Sequence, residues 1–294
     1  MKYLTTLFFL SILFQNQVDT IPKLDLRNGT LNLPLNIPSI IPDARKEDSM
    51  KLTSLGIEEI KNTAKNFKAS RVLEDDIIII STNKGDIKFK FYNNEAPNHC
   101  YNFKKLANSG FYDETLFHKV IKDFIIQGGD ILSRDNNPDN DGTGGPGWTI
   151  DAEFNKIKHS KGILSMVRGN DINSAGSQFF IVLDNYSHLD NKYTVFGYIV
   201  EGEYILDLIS KISTEYNQAM MLTKQSISKN EDPDNWIEVY DTHAKQKLFA
   251  KVPESVSKKS YKEAINKKIK NIHRPGIPIV IKKIRVINTN SEEK

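Results

Sequence analysis

Hydrophobic and polar positions change period several times along this chain, and each change predicts a different element. Behind Lys2, residues 4–14 are mostly apolar, too short a run for a bilayer span but the length of a signal-peptide core. Residues 1–20 are therefore expected to be a signal peptide or an N-terminal anchor, and the chain to be exported. No small-x-small cleavage site follows, so cleavage near Thr20, an uncleaved anchor and an apolar segment that merely packs all stay open. Prolines at positions 22, 34, 38 and 42 then interrupt any regular period and predict an extended linker. Over residues 49–69, Leu52, Leu55, Ile60, Ala64 and Phe67 recur at helical spacing. The amphipathic helix they predict completes a linker-and-helix segment, residues 21–75, expected to dock on the main domain.

A β-rich region begins at residue 76. Residues 76–82 are isoleucine-rich, and after Asn83-Lys84-Gly85-Asp86 the run Ile87-Lys88-Phe89-Lys90-Phe91 alternates strictly, predicting a hairpin. Pro97 stands where a helix would start, with Tyr101, Leu106 and Ala107 as its apolar face and Gly110 placed to end it. Short β-like runs follow at residues 116–121, 124–128, 163–167, 178–183 and 193–199, separated by turn residues. A second helix is expected over residues 203–212, carrying Ile205, Leu206, Leu208 and Ile209. Strands spaced this way predict a mainly β fold with a closed antiparallel sheet and a helix over each mouth.

From residue 213 to 274 the chain is polar, lysine-rich and helical in period, and it includes Lys258, Lys259, Lys262, Lys267, Lys268 and Lys270. Residues 275–288, with Ile277, Ile279, Val280, Ile281, Ile284, Val286 and Ile287, then read as a strand, followed by a tail over residues 289–294. We read this strand as closing a barrel formed by residues 76–212, with residues 213–274 as a helical insert before it. The alternative is a barrel that closes earlier and a C-terminal tail from residue 213. The lysines read as a solvated helix face or as a surface for an acidic partner.

Composition narrows the class without naming it. At 39% hydrophobic and 26% charged, the 294 residues are those of a soluble globular chain. A net charge of +3 from 40 basic and 37 acidic side chains predicts no nucleic-acid partner. The single cysteine, Cys100, excludes an intrachain disulfide framework and a cysteine-based metal site. Asn28-Gly29-Thr30 and Asn185-Tyr186-Ser187 fit the glycosylation pattern, which common chance matches also produce. The glycines of Gly142-Thr143-Gly144-Gly145-Pro146-Gly147 have dinucleotide-binding spacing. They lack a buried strand before them and a helix after, so a glycine-rich loop beside a groove is the better reading.

Two motifs carry the chemistry. The stretch FHKVIKDFIIQGGD over residues 117–130, followed by GSQFF over residues 176–180, resembles the cyclophilin family of peptidyl-prolyl cis-trans isomerases. The resemblance covers about residues 76–212, with the final strand left open, and cyclophilins carry a similar GTGG loop. It implies a closed eight-stranded β-barrel capped by two helices, and an enzyme that assists folding by rotating X-Pro bonds in extended segments. The rotation barrier is about 18–20 kcal/mol, and lowering it needs neither nucleophile, cofactor nor metal. An apolar site that grips the proline ring and donates one strong hydrogen bond favours the twisted transition state.

Carried over residue by residue, the resemblance implies catalytic roles for Lys119, Phe124 and Gln127. Phe124, Ile125, Phe180 and Leu189 would form the proline pocket; Gln178 would line the groove; Val167 and Arg168 would pair with substrate backbone, unless Arg168 is only a rim charge. Lys119 stands where the family has its catalytic arginine, keeping the charge and losing the planar fork. Ile125 replaces a methionine, Tyr193 a histidine, and His188 a tryptophan that affects cyclosporin binding, which implies weak cyclosporin sensitivity. His188 reads equally as a solvated loop residue. The expected partners are proline-containing polypeptides, and the chain is expected to be a monomer. Two function classes remain: an isomerase slowed by Lys119, or a proline-binding scaffold that keeps the groove without turnover.

Overall fold

The computed structural model describes residues 52–289 apart from 136, 215–226, 228, 242–245, 255 and 270–272. The expected signal segment and the proline-rich linker lie outside the described residues.

Helix α1 (Ser54–Asn66) starts where Thr53 caps it through a side-chain oxygen that accepts from the Gly56 amide, at 3.3 Å. It buries Ile57 and Ala64 in the main core and leaves Leu55 in solvent, so the apolar stripe is rotated from the one its sequence suggested. Strands β1 (Asp76–Thr82) and β2 (Gly85–Phe91) form the expected antiparallel hairpin. Helix α2 (Pro97–Asn108) has proline in its first turn. Gly110 ends it at φ 80°, its amide donating to Ala107 O while the Phe111 amide reaches Leu106 O, the paired C-terminal bonds that a left-handed residue permits. Tyr101 faces solvent, and Cys100, Phe103, Leu106 and Ala107 form the buried side.

Strands β3 (Thr115–Leu116), β4 (Lys119–Ile121), β5 (Ile125–Gly128), β6 (Ile163–Met166), β7 (Phe179–Val182) and β8 (Val195–Glu201) follow. Helix α3 (Glu203–Ser210) buries Ile205, Leu206 and Ile209, and leaves Leu208 half exposed. The last apolar run forms β11 (Val280–Asn288), antiparallel to β1 from Asp76 opposite Asn288 to Thr82 opposite Ile281.

Nine strands make one sheet in the order β3-β11-β1-β2-β8-β6-β7-β5-β4. Its two end strands, β3 and β4, are separated in sequence only by Phe117 and His118, so the sheet must curl until its edges approach. The expected closed eight-stranded barrel is corrected to this open, curled sheet. The run over residues 116–121 divides: the Phe117 amide still donates to Ile279 O (2.9 Å), in register with the β3–β11 pairing, β4 begins only at Lys119, and a two-residue β3 has no length to close a ladder with β4. The β4 edge is bonded instead by the Val120 amide donating to His273 O, at 2.8 Å.

The region expected to be largely helical is also corrected. Its described residues form a separate two-stranded sheet, β9 (Trp236–Asp241) with β10 (Gln246–Lys251), and one helix, α4 (Lys258–Lys268). Trp236-Ile237-Glu238-Val239-Tyr240-Asp241 alternates with period two, burying Ile237 and Val239, a pattern the surrounding lysines obscure. Tyr261 and Ile265 of α4 pack on Ile237, Val239, Leu248 and Ala250, a small core of its own. Lys258, Lys259 and Lys262 are exposed; Lys270 lies outside the described residues. The insert enters and leaves at one place, since Thr214 bridges Pro275 and the Gly276 amide donates to Ser213 O at 2.8 Å.

Candidate active site

Alternation along the central strands sorts side chains onto two faces. Ile126, Ile181 and Leu164 are mutual register partners on β5, β7 and β6 and point into the main core with Phe103, Phe179 and Phe196. One residue further, Lys119 on β4 stands opposite Gln127 on β5, Gln127 opposite Phe180 on β7, and Phe180 opposite Ser165 on β6. Directly opposed residues share a face, so a cation, an amide and an aromatic ring lie in one row across the strands.

An apolar cluster surrounds Phe180. Leu189, Val182 and Val195 are buried in it, and Phe124, Ile125, Val167, Tyr186 and Tyr193 are partly buried against it. Tyr193 meets Phe180 edge to face at 5.6 Å, and Tyr186 meets Phe124 likewise at 4.6 Å. Phe124 follows Asp123, which takes φ 57° in the β4–β5 turn and whose carbonyl accepts from the Tyr186 hydroxyl. His188 stacks on Phe124 at 5.9 Å, so it joins the cluster's rim while staying exposed.

The polar side of the row is fixed by amides. Gln127, buried, donates through Nε2 to Gln178 Oε1, and Gln178 Nε2 donates to Gly144 O, both at 2.9 Å. That last bond ties the row to the glycine-rich loop, which leads into no helix. The buried Asp130 carboxylate accepts from the Leu132 and Gly142 amides, and a side chain at Gly144 would stand 2.0 Å from Asp130 Oδ1. Glycine at 144 is thus required by close approach rather than by a phosphate.

Arg168 Nε donates to Lys192 O and Nη1 to Gly169 O, both at 2.9 Å, and its guanidinium lies 5.0 Å over the Tyr193 ring. It therefore props Tyr193 from behind. Lys119, half-buried, is held down to about 8 by burial, against which the Asp241 carboxylate acts to raise it. The structure thus brings Lys119, Phe124, Ile125, Gln127, Val167, Gln178, Phe180, His188, Leu189 and Tyr193 into one contiguous patch, with Arg168 at its margin.

Four residues near the groove escaped sequence reasoning. Tyr186 follows Asn185 in what read only as a glycosylation tripeptide, and Asp241 lies in the insert. Beneath Phe180, the buried His159 ring stacks at 6.0 Å and bonds Asp190 through Nδ1 and Ser165 through Nε2, each at 3.1 Å. No local motif in the sequence marks His159 or Asp190. A cavity of about 960 Å³ lies away from the groove, in the insert, lined by Trp236, Phe249, Lys259 and Lys262 among others; it shares no residue with the groove.

The family model for the cyclophilin type peptidyl-prolyl cis-trans isomerases matches residues 77–231, just over half the chain. The chain belongs to the cyclophilin family. Cyclophilins are a family of enzymes, and curated relatives carry the isomerase name. A peptidyl-prolyl cis-trans isomerase of Synechococcus elongatus is 44% identical over 125 residues, 42% of this chain and 81% of the relative. Peptidyl-prolyl cis-trans isomerase B of Bacillus subtilis is 46% identical over 119 residues, 40% of this chain and 77% of the relative. A solved cyclophilin type isomerase of Cryptosporidium parvum, crystallised in the presence of the dipeptide Ala-Pro, covers 72% of this chain and 98% of its own at 28% identity and TM-score 0.49. The insert strands β9 and β10 and helix α4 lie beyond the family match.

Proposed function

We propose that this cyclophilin isomerises X-Pro bonds in extended polypeptide segments and assists protein folding, at a rate reduced by Lys119. The observation that carries the reading is the single row of Lys119, Gln127 and Phe180 across β4, β5 and β7, bordered by the Phe124, Ile125, Leu189 and Tyr193 side chains. A proline ring seated against Phe180 and Leu189 removes the imide bond from water. Lys119 then donates to the imide nitrogen as rotation makes it pyramidal, while the Gln127 and Gln178 amides hold substrate backbone. No bond is made or broken, so the acceleration comes from binding the twisted state better than either planar one. A lysine offers one point charge where a guanidinium offers a fork. A displaced charge-assisted hydrogen bond, about 1.5–3 kcal/mol, corresponds to about ten- to a hundredfold in rate.

Proline cis-trans exchange on a short X-Pro peptide tests this. The full chain should exceed buffer, Phe124→Ala should lose the signal, and Lys119→Arg should raise the rate. A wild-type chain that binds X-Pro peptides yet is no faster than buffer makes the groove a proline-binding scaffold, the reading that Lys119 itself favours. Export belongs to the same proposal, supported by the apolar run behind Lys2. The mass and N-terminus of the secreted or membrane-held protein decide between cleavage near Thr20 and an anchor.

A further inference from the structure

The insert is fastened to the sheet edge that carries Lys119. Asp241, the last residue of β9, is fully buried and bonded to His273, whose Nε2 stands 2.8 Å from its Oδ2. His273 is itself buried, and its carbonyl accepts the Val120 amide at 2.8 Å. One hydrogen-bonded path therefore runs from the Asp241 carboxylate through the histidine to the residue beside Lys119. The end of β9 cannot shift without moving the β4 edge.

We propose that Asp241, clamped by His273, is a positioning residue for Lys119, so that the insert supplies part of the isomerase site. The proposal rests on Lys119 being the donor described above. An ammonium on a flexible four-carbon stem has no fork to orient it, and a fixed carboxylate to one side restores a preferred direction. The charge environment agrees. Burial alone lowers the Lys119 ammonium, and the Asp241 carboxylate is the charge that works against it. Across the ladder on β5 stands neutral Gln127, and next on β7 the Phe180 ring. From the segment before β11 come His273, turned to Asp241, and its chain neighbour Arg274; along β4 and its turn are His118, Lys122 and Asp123. A neutral residue at 241 leaves burial unopposed, and Lys119 then loses its proton at lower pH.

The test follows Lys119 itself and, separately, turnover, in the full chain. With lysine ¹³Cε labelling, Lys119 is identified by its loss in Lys119→Arg and titrated in wild type and Asp241→Asn. Its midpoint should stand at about 8 in wild type and move down by about 0.5–1 pH unit in the variant. In peptide exchange, the alkaline fall in kcat should move by the same amount with KM little changed, since the apolar pocket is untouched. At pH 7.5 a one-unit move takes the protonated fraction from about three quarters to about one quarter, roughly a threefold loss. In a Lys119→Arg background the alkaline fall should vanish, and adding Asp241→Asn should not bring it back. An unchanged Lys119 midpoint in folded Asp241→Asn overturns the proposal, as does a rate lowered equally at every pH. If Asp241→Asn fails to fold, His273→Gln keeps the carboxylate and loosens its clamp; it should lower kcat, and an unchanged kcat overturns the proposal. A wild-type chain without turnover sinks the isomerase reading and with it the catalytic part of this proposal, whereas the Lys119 midpoint, read without substrate, separately decides whether Asp241 acts on Lys119.

Discussion

At the scale of single residues, the groove depends on groups whose protonation is fixed by what surrounds them. Burial by itself would raise Asp190, but hydrogen bonds from the His159 amide and ring and from Lys158 overcome it and bring the carboxyl from 3.8 to about 2. A carboxyl depressed on folding stabilises the native state above its unfolded value and loses that contribution as pH falls through its folded one. Wild type should therefore be more stable than Asp190→Asn near neutral pH, with the gap closing between about pH 4 and about pH 2. Urea midpoints at a series of pH values measure it, and a constant gap would refute it. Because Asp190 anchors the ring beneath Phe180, the same variant should weaken X-Pro peptide binding. Phe124 with Gln127, and Gln178 with Phe180, were legible in the sequence because each pair lies within one short motif, and the family resemblance joins the two motifs across some 50 positions. Asp190 bonds His159, 31 positions away, and Asp241 lies some 120 positions from Lys119, distances over which sequence spacing carries no signal.

At the scale of elements, α2, β1 and β11 meet at one buried ion pair. Lys104 of α2 reaches Asp76 at the start of β1, 2.5 Å apart with both side chains buried. Lys104 also donates to Arg71 O at 2.9 Å, and Asp76 accepts from the Leu73 amide at 2.9 Å and from Asn288 Nδ2 at 3.3 Å. Lys104→Met leaves that carboxylate buried without its cation and should cost about 3–5 kcal/mol by chemical denaturation. Replacing both partners by apolar residues should recover part of the loss, and equal losses in single and double variants would disprove the coupling. Elements with a clean period were readable: the β1–β2 hairpin, α2 and α3 all stand near where the pattern put them. The β9–β10 hairpin was not, because strands of six residues inside a lysine-rich stretch leave the helical period dominant over any longer window. The open edge was equally hidden, since a run of apolar residues does not show that Phe117 still pairs toward β11 while Lys119 begins a different strand.

At the scale of the whole molecule, the insert is a closed excursion. Its stem is pinned by Thr214 with Pro275 and by Gly276 with Ser213, so a short glycine linker in place of residues 215–274 spans almost no distance. Such a chain should fold cooperatively with the sheet intact, as circular dichroism and a thermal melt would show. It should also lack the His273 bond to the β4 edge and the Asp241 charge. Truncation at residue 212 should instead abolish folding, because it removes β11 and with it Ile281, Ile284 and Val286 from the core.

The pairing of Asp76 with Asn288 also sets a timetable. β1 is the first strand among the described residues, yet its partner on one side is synthesised about 200 residues later. Until then one edge of an isoleucine-rich strand stays open, and long-range pairing of this kind is slow to form and prone to pairing with other chains. A member of a proline-isomerase family thus completes its own sheet only after about 200 further residues have been made, and until then it is itself a chain in need of protection.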